Sequence, residues 1–118
     1  MTEPSTPPVF DFEQFDEATA GDIEFQHEIL AEYLAEVPAI LARLEAARRN
    51  GNVAATQLEA HSLKGSSLAL GAAALGAAAL DLEKGATDSA SLEFRLDRVR
   101  EEFARVEDTL RQHLNRAA

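Results

Sequence analysis

Residues 92–114 read Leu92-Glu93-Phe94-Arg95-Leu96-Asp97-Arg98-Val99-Arg100-Glu101-Glu102-Phe103-Ala104-Arg105-Val106-Glu107-Asp108-Thr109-Leu110-Arg111-Gln112-His113-Leu114. Leu92, Leu96, Val99, Phe103, Val106, Leu110 and Leu114 recur in steps of four and three, with charged residues filling most positions between. At about 100° per residue those steps hold the apolar side chains on one side of an α-helix. Such a seam suits either a coiled-coil dimer or packing against the chain's own helices. Barely three heptads are present, so packing within the chain is expected.

The same helical period continues upstream. Gly85 to Ser89 breaks the chain, with Asp88 or Ser89 as the cap of the last helix. A helix over roughly 72–85 is packed with Ala and Leu, and such small residues allow close approach of a neighbour. Gly71 marks a turn, and a further helix runs over roughly 53–70. Asn50-Gly51-Asn52 is a stop and a restart: Gly51 suits a left-handed cap and Asn52 an N-cap. Before it, Asp22 caps a long helix with Phe25, Ile29, Tyr33, Val37, Ile40, Leu41 and Leu44 on one stripe. Pro38 is expected to bend that helix without ending it, because the apolar period runs through it. Asp11 with Gln14 resembles a capping box for a short helix over roughly 11–20, closed by Gly21.

Met1 to Pro8, with three prolines, reads as a disordered leader. No strand pattern occurs. The expectation is an all-α chain: a disordered leader over 1–10, then one domain over 11–118. That domain is an antiparallel four-helix bundle with a short extra N-terminal helix.

Composition narrows the function. A chain of 118 residues builds one domain with one core. Without cysteine, disulfides, thiolate metal sites and cysteine nucleophiles are excluded. The first residues carry no basic or apolar run of the signal-peptide kind. The longest apolar stretch, Leu68 to Leu80, is too short to span a bilayer, so a cytoplasmic location is expected. The net charge is −10, and residues 1–42 hold ten acidic residues and no Lys or Arg. That front half disfavours nucleic acid and anionic membrane as partners. It reads first as a solvated acidic surface and second as an electrostatic docking face.

His61-Ser62-Leu63-Lys64-Gly65-Ser66-Ser67 carries the chemistry. On a helix, Lys64 and Gly65 lie within about 60° of His61 one turn along, while Leu63 and Leu70 point nearly opposite. An imidazole thus faces outward with a cation beside it and a residue without a side chain next to it. Glycine inside a helix costs about 1 kcal/mol relative to alanine, and this chain uses alanine freely. Close helix packing would explain Gly65, but its angle places it nearer His61 than the core side, which favours clearance for a partner. Lys64 is one of only two lysines against nine arginines. It reads either as an ordinary surface lysine or as a mobile point charge that follows an anion. Ser66 and Ser67 lie towards the buried side and suit small-volume packing, with bonds back to the preceding turn.

A neutral imidazole is a good nucleophile near pH 7. Phosphorylation would place negative charge there that Lys64 offsets. No Gly-x-x-x-x-Gly-Lys-Ser/Thr loop occurs: Gly71 and Gly76 have its first spacing, but Ala77 and Ala78 follow. ATP binding is therefore not expected, and the phosphoryl donor would be another protein. Glu24-Phe25-Gln26-His27 matches the Glu-x-x-His spacing of di-iron bundles, which need the motif twice, and no second copy exists. His27 and His113 read as structural, His113 beside the final seam and partly exposed.

At His61, Leu63, Lys64, Gly65, Ser66, Ser67, Gly71 and Leu82-Glu83 the chain resembles the histidine-containing phosphotransfer (HPt) domains of two-component phosphorelays. The resemblance runs from about Asp11 to the C-terminus and includes Glu36-Val37-Pro38 and Asn50-Gly51-Asn52. It implies a phosphoacceptor histidine, His61, that exchanges phosphate with an aspartate on response-regulator receiver domains. Lys64 would support the phosphoryl group, and Gly65, with Ser62 and Leu68, would meet the partner. Some members have a glutamine two turns into the following helix that contacts the histidine; Glu83 falls near that position. A histidine kinase or hybrid kinase is the implied upstream partner. Magnesium would sit in the receiver's acidic pocket, so the chain itself is expected to hold no cofactor or metal. The expected protein is a monomeric relay intermediate with no kinase activity of its own. The competing reading is a non-phosphorylated helical adaptor that binds and inhibits a receiver or histidine kinase.

Overall fold

The computed structural model describes residues 8–117, and among them are five helices and no strand. They are α1 (Phe12–Ala18), α2 (Ile23–Arg49), α3 (Val53–Leu70), α4 (Ala73–Gly85) and α5 (Ser89–Ala117). Short links make α2, α3, α4 and α5 consecutive antiparallel neighbours, and α5 returns to pack on α2, closing a four-helix bundle. The short α1 lies against α3.

Side-chain caps set most of the starts. Asp11, Asp22 and Asn52 each accept a hydrogen bond from the backbone N–H three residues on, at 3.0, 3.1 and 3.0 Å. Asp88, one of the two expected caps for α5, does the same for Ser91 at 2.8 Å. Gly21, Gly51 and Gly71 all take positive φ at the helix junctions. The capping box at α1 is only half made. Gln14 does not reach back to Asp11; its side-chain amide donates to the Leu68 carbonyl at 3.0 Å, and the Asp11 N–H donates to Gly71 O at 2.9 Å. Both bonds tie α1 to the C-terminal end of α3.

The seam read from residues 92–114 is the inner face of α5. Leu92, Leu96, Val99, Phe103, Val106 and Leu110 are buried, and Leu114 packs against the same core. The stripe on α2 is buried at Tyr33, Val37, Ile40 and Leu44 and packs against the core at Ile29 and Leu41, and it departs from the expected face at Phe25. Phe25 is 47% exposed, while Leu30 and Leu34 are buried. The cause is Gln26, which is buried and donates to Asp16 Oδ1 and Thr19 Oγ1 at 2.9 and 2.8 Å. That pairing turns the first turn of α2 towards α1 and carries Phe25 outward. α2 runs unbroken through Pro38, whose ring is on the exposed side.

Of the leader expected over 1–10, residues 1–7 lie outside the described residues. Its last part is packed: Phe10 is buried with its ring 5.5 Å from that of Phe15, and Val9 packs against the core. Among the described residues no helix is long and apolar enough to cross a membrane.

Candidate functional site

α3 presents the site because its other side is held. Thr56, Ala60, Leu63 and Ser67 are fully buried at steps of four, three and four. Ser67 Oγ and the Tyr33 hydroxyl of α2 share a hydrogen bond of 2.7 Å in the interior. Burial pushes the Tyr33 hydroxyl up to about 12, so it stays protonated and keeps that bond through the neutral range. Ser66 Oγ donates back to the Leu63 carbonyl at 3.2 Å. With that side fixed, His61 must point outward, and its side chain is 61% exposed.

α4 supplies the second half. Its Leu82 is fully buried, which sets the register of Glu83 beside α3. Glu83 Oε2 lies 3.0 Å from His61 Nδ1, and Glu83 Oε1 lies 3.6 Å from Lys64 Nζ. Lys64 Nζ is also 3.3 Å from His61 Nδ1. Nδ1 cannot donate to the carboxylate and accept from the ammonium together. The shorter contact is with the anion, so the favoured arrangement has Nδ1–H donating to Glu83. Lys64 then neutralises the far carboxylate oxygen, and Nε2 carries the ring's lone pair outward. Glu83 Oε1 is buried and has no hydrogen-bond partner, which leaves Lys64 as its charge partner.

Gly65 stands one turn along the same face. A Cβ built there meets nothing within 4 Å, so no contact within the chain requires glycine. Ser62 is exposed, and Leu68 is 45% exposed two turns beyond His61. Leu68 rests on Gly76 of α4, where an added Cβ would come within 2.6 Å of its Cδ2. His61, Lys64, Gly65 and Leu68 therefore share one face of α3, with Ser62 at its margin.

The contact between Glu83 and His61 was open from the sequence. Its signal was the pair Leu82-Glu83, a buried leucine followed by a carboxylate, but the facing of two helices was needed to complete it. The other histidines lie apart from the site. His113 stacks on Phe12 with ring centroids 4.5 Å apart, and His27 is half-buried. Among the described residues no three His, Cys, Asp or Glu side chains gather as a metal site would need.

No curated protein matches the chain. A family model described as Hpt domain matches residues 28–116, a span that takes in α3, α4, most of α2 and nearly all of α5.

Proposed function

This chain belongs to the Hpt domain family, and from that premise we propose that His61 is the phosphoacceptor of a phosphorelay, exchanging its phosphoryl group with the aspartate of a response-regulator receiver domain. Hpt domains are phosphotransfer modules of two-component signalling without catalytic activity of their own, working between kinases and receiver domains. The observation that carries the assignment is the outward imidazole whose Nδ1 meets Glu83 at 3.0 Å while Nε2 makes no hydrogen bond among the described residues.

In the proposed step the Nε2 lone pair attacks phosphorus of the receiver's aspartyl phosphate. The P–O bond to the aspartate breaks, and its electron pair stays on the carboxylate. The new P–Nε2 bond leaves a positive charge on the ring, shared through Nδ1–H with Glu83. Lys64, whose side chain is 23% exposed, offsets the phosphoryl oxygens. Return transfer reverses each bond, and the electron pair goes back to Nε2. Gly65 leaves room for the partner's loops, with Ser62 and Leu68 in contact beside it. No cofactor is needed on this chain; magnesium would belong to the receiver. A histidine kinase or hybrid kinase stands at the far end of the relay, and the chain works as a monomer.

The adaptor reading differs in one respect: binding without a covalent step. The conjunction of His61, Lys64, Gly65 and Glu83 on one face favours the relay, since mere blocking needs none of them together. Phosphotransfer from labelled receiver domains of the same organism, with wild type and His61→Gln side by side, separates the two. The expected result is acid-labile, alkali-stable label on wild type alone. Binding without label would support the adaptor.

A further inference from the structure

His61 is held by one edge of its ring. Both of its side-chain contacts fall on Nδ1: Glu83 Oε2 of α4 at 3.0 Å and Lys64 Nζ at 3.3 Å. The phosphoryl group would be carried across the ring, on Nε2. Glu83 Oε1 is buried without a hydrogen-bond partner, and Lys64 Nζ stands 3.6 Å from it. A carboxylate withdrawn from water needs a cation beside it. In the resting protein Lys64 is that cation.

The other charged groups around α3 are engaged or turned elsewhere. On the α2 side, Glu59 is taken up by Arg43 at 2.9 Å, and Glu32 and Glu36 line a cleft with Ser66, on the flank of α3 away from α4. On α4, Asp81 pairs with Arg95, and Lys84 is exposed. From α1, Asp11 and Gln14 meet α3 at its C-terminal end. Among the described residues, the charges in reach of the ring are therefore those of Glu83 and Lys64.

Phosphorylation changes what Glu83 balances. With Nε2 bonded to phosphorus and Nδ1 still carrying its proton, the ring is a cation facing Glu83 Oε2. That cation can replace Lys64 as the partner of the carboxylate, and Lys64 is released towards the phosphoryl oxygens. The same proton sets how readily the P–Nε2 bond breaks. With it, the bond's electron pair returns to Nε2 and the ring leaves as neutral imidazole. Without it, the ring would have to leave as an imidazolate anion, a far poorer leaving group. We propose that Glu83 is a positioning residue that keeps Nδ1 of phosphorylated His61 protonated at and above neutral pH, holding the phosphoryl group in a labile, quickly passed form. The proposal rests on the relay reading for the use made of that lability, but its test needs no relay partner.

Phosphoramidate, a small-molecule donor, loads the full chain directly: Nε2 attacks phosphorus, the donor's P–N bond breaks, and ammonia leaves. Breakdown to free phosphate is then followed from pH 5 to 9, with water attacking phosphorus and the electron pair returning to Nε2. Glu83→Gln keeps the side chain's shape and loses its charge. A hydrogen bond to a charged group is roughly twice as strong as a neutral one, enough to shift the variant's breakdown to about tenfold slower than wild type near pH 8. Near pH 5 both rings are protonated, and the two rates are expected to agree within about twofold. Lys84→Gln removes one charge at the adjacent exposed position and is expected to leave the wild-type profile in place. Nitrogen NMR of the loaded protein reads the proton itself: at pH 8, Nδ1 is expected to be protonated in wild type and unprotonated in Glu83→Gln. An unprotonated Nδ1 in loaded wild type at pH 7, matching profiles for wild type and Glu83→Gln, an equal change in Lys84→Gln, or no label on His61 overturns the proposal. A protonated Nδ1 in a protein that takes label from phosphoramidate and from no receiver would sink the relay reading and leave this one standing.

Discussion

Gly65 shows how far a single residue can be read. An exposed helical glycine that a Cβ would leave in open space gains nothing from packing inside this chain. Its cost of about 1 kcal/mol relative to alanine is not offset there. Gly65→Ala is therefore expected to raise stability by up to about 1 kcal/mol in urea denaturation and to slow transfer from a receiver. A stabilised variant with unchanged transfer would show that the clearance beside His61 is not used. The angular relation of His61, Lys64 and Gly65 was legible from helical spacing alone, since all three belong to one helix. The contact of Glu83 with His61 was not, because it spans two helices whose facing no local pattern specifies.

At the scale of the element, the helix ends were legible because a cap is a local bond between a side chain and a backbone N–H three residues away. What those side chains do beyond their own helix was not legible. Gln14 leaves the capping box for the α3 carbonyls, and Gln26 outcompetes Phe25 for the interior by pairing with Asp16 and Thr19. The junction at Gly71 joins both kinds of constraint. Its φ of 114° is one that other residues rarely adopt, and an added Cβ would lie 2.8 Å from the Asp11 carbonyl oxygen. Gly71→Ala is expected to cost about 1–3 kcal/mol. It should also expose the Asp11 amide to hydrogen exchange, since that N–H donates to Gly71 O. A destabilised variant with full protection at Asp11 would place the strain elsewhere than in the α1–α3 tie.

The whole molecule adds a dependence on pH that no single helix contains. Where α1, α2 and α5 meet, burial holds the His113 imidazole below its ordinary value, and Arg116 and His27 push it the same way. An unfolded histidine titrates near 6.5. The folded state thus resists protonation that the unfolded chain accepts. The stability this contributes is full above about pH 6.5 and is lost as pH falls through the lower folded value. His113→Phe keeps an aromatic ring against Phe12 and removes the titration. The thermal midpoint of wild type minus that of the variant is expected to shrink between pH 7.5 and 5; a constant difference would rule the histidine out as the source. The sequence by itself determined the five helices, their ends, the inner face of α5 and the outward face of His61, because each follows from spacing within one segment. Only the tertiary structure decided that Glu83 meets His61, that Phe25 faces solvent and that Phe10 joins the core. Each of those depends on which helices face one another, and helix facing is settled by competition among side chains far apart in the chain.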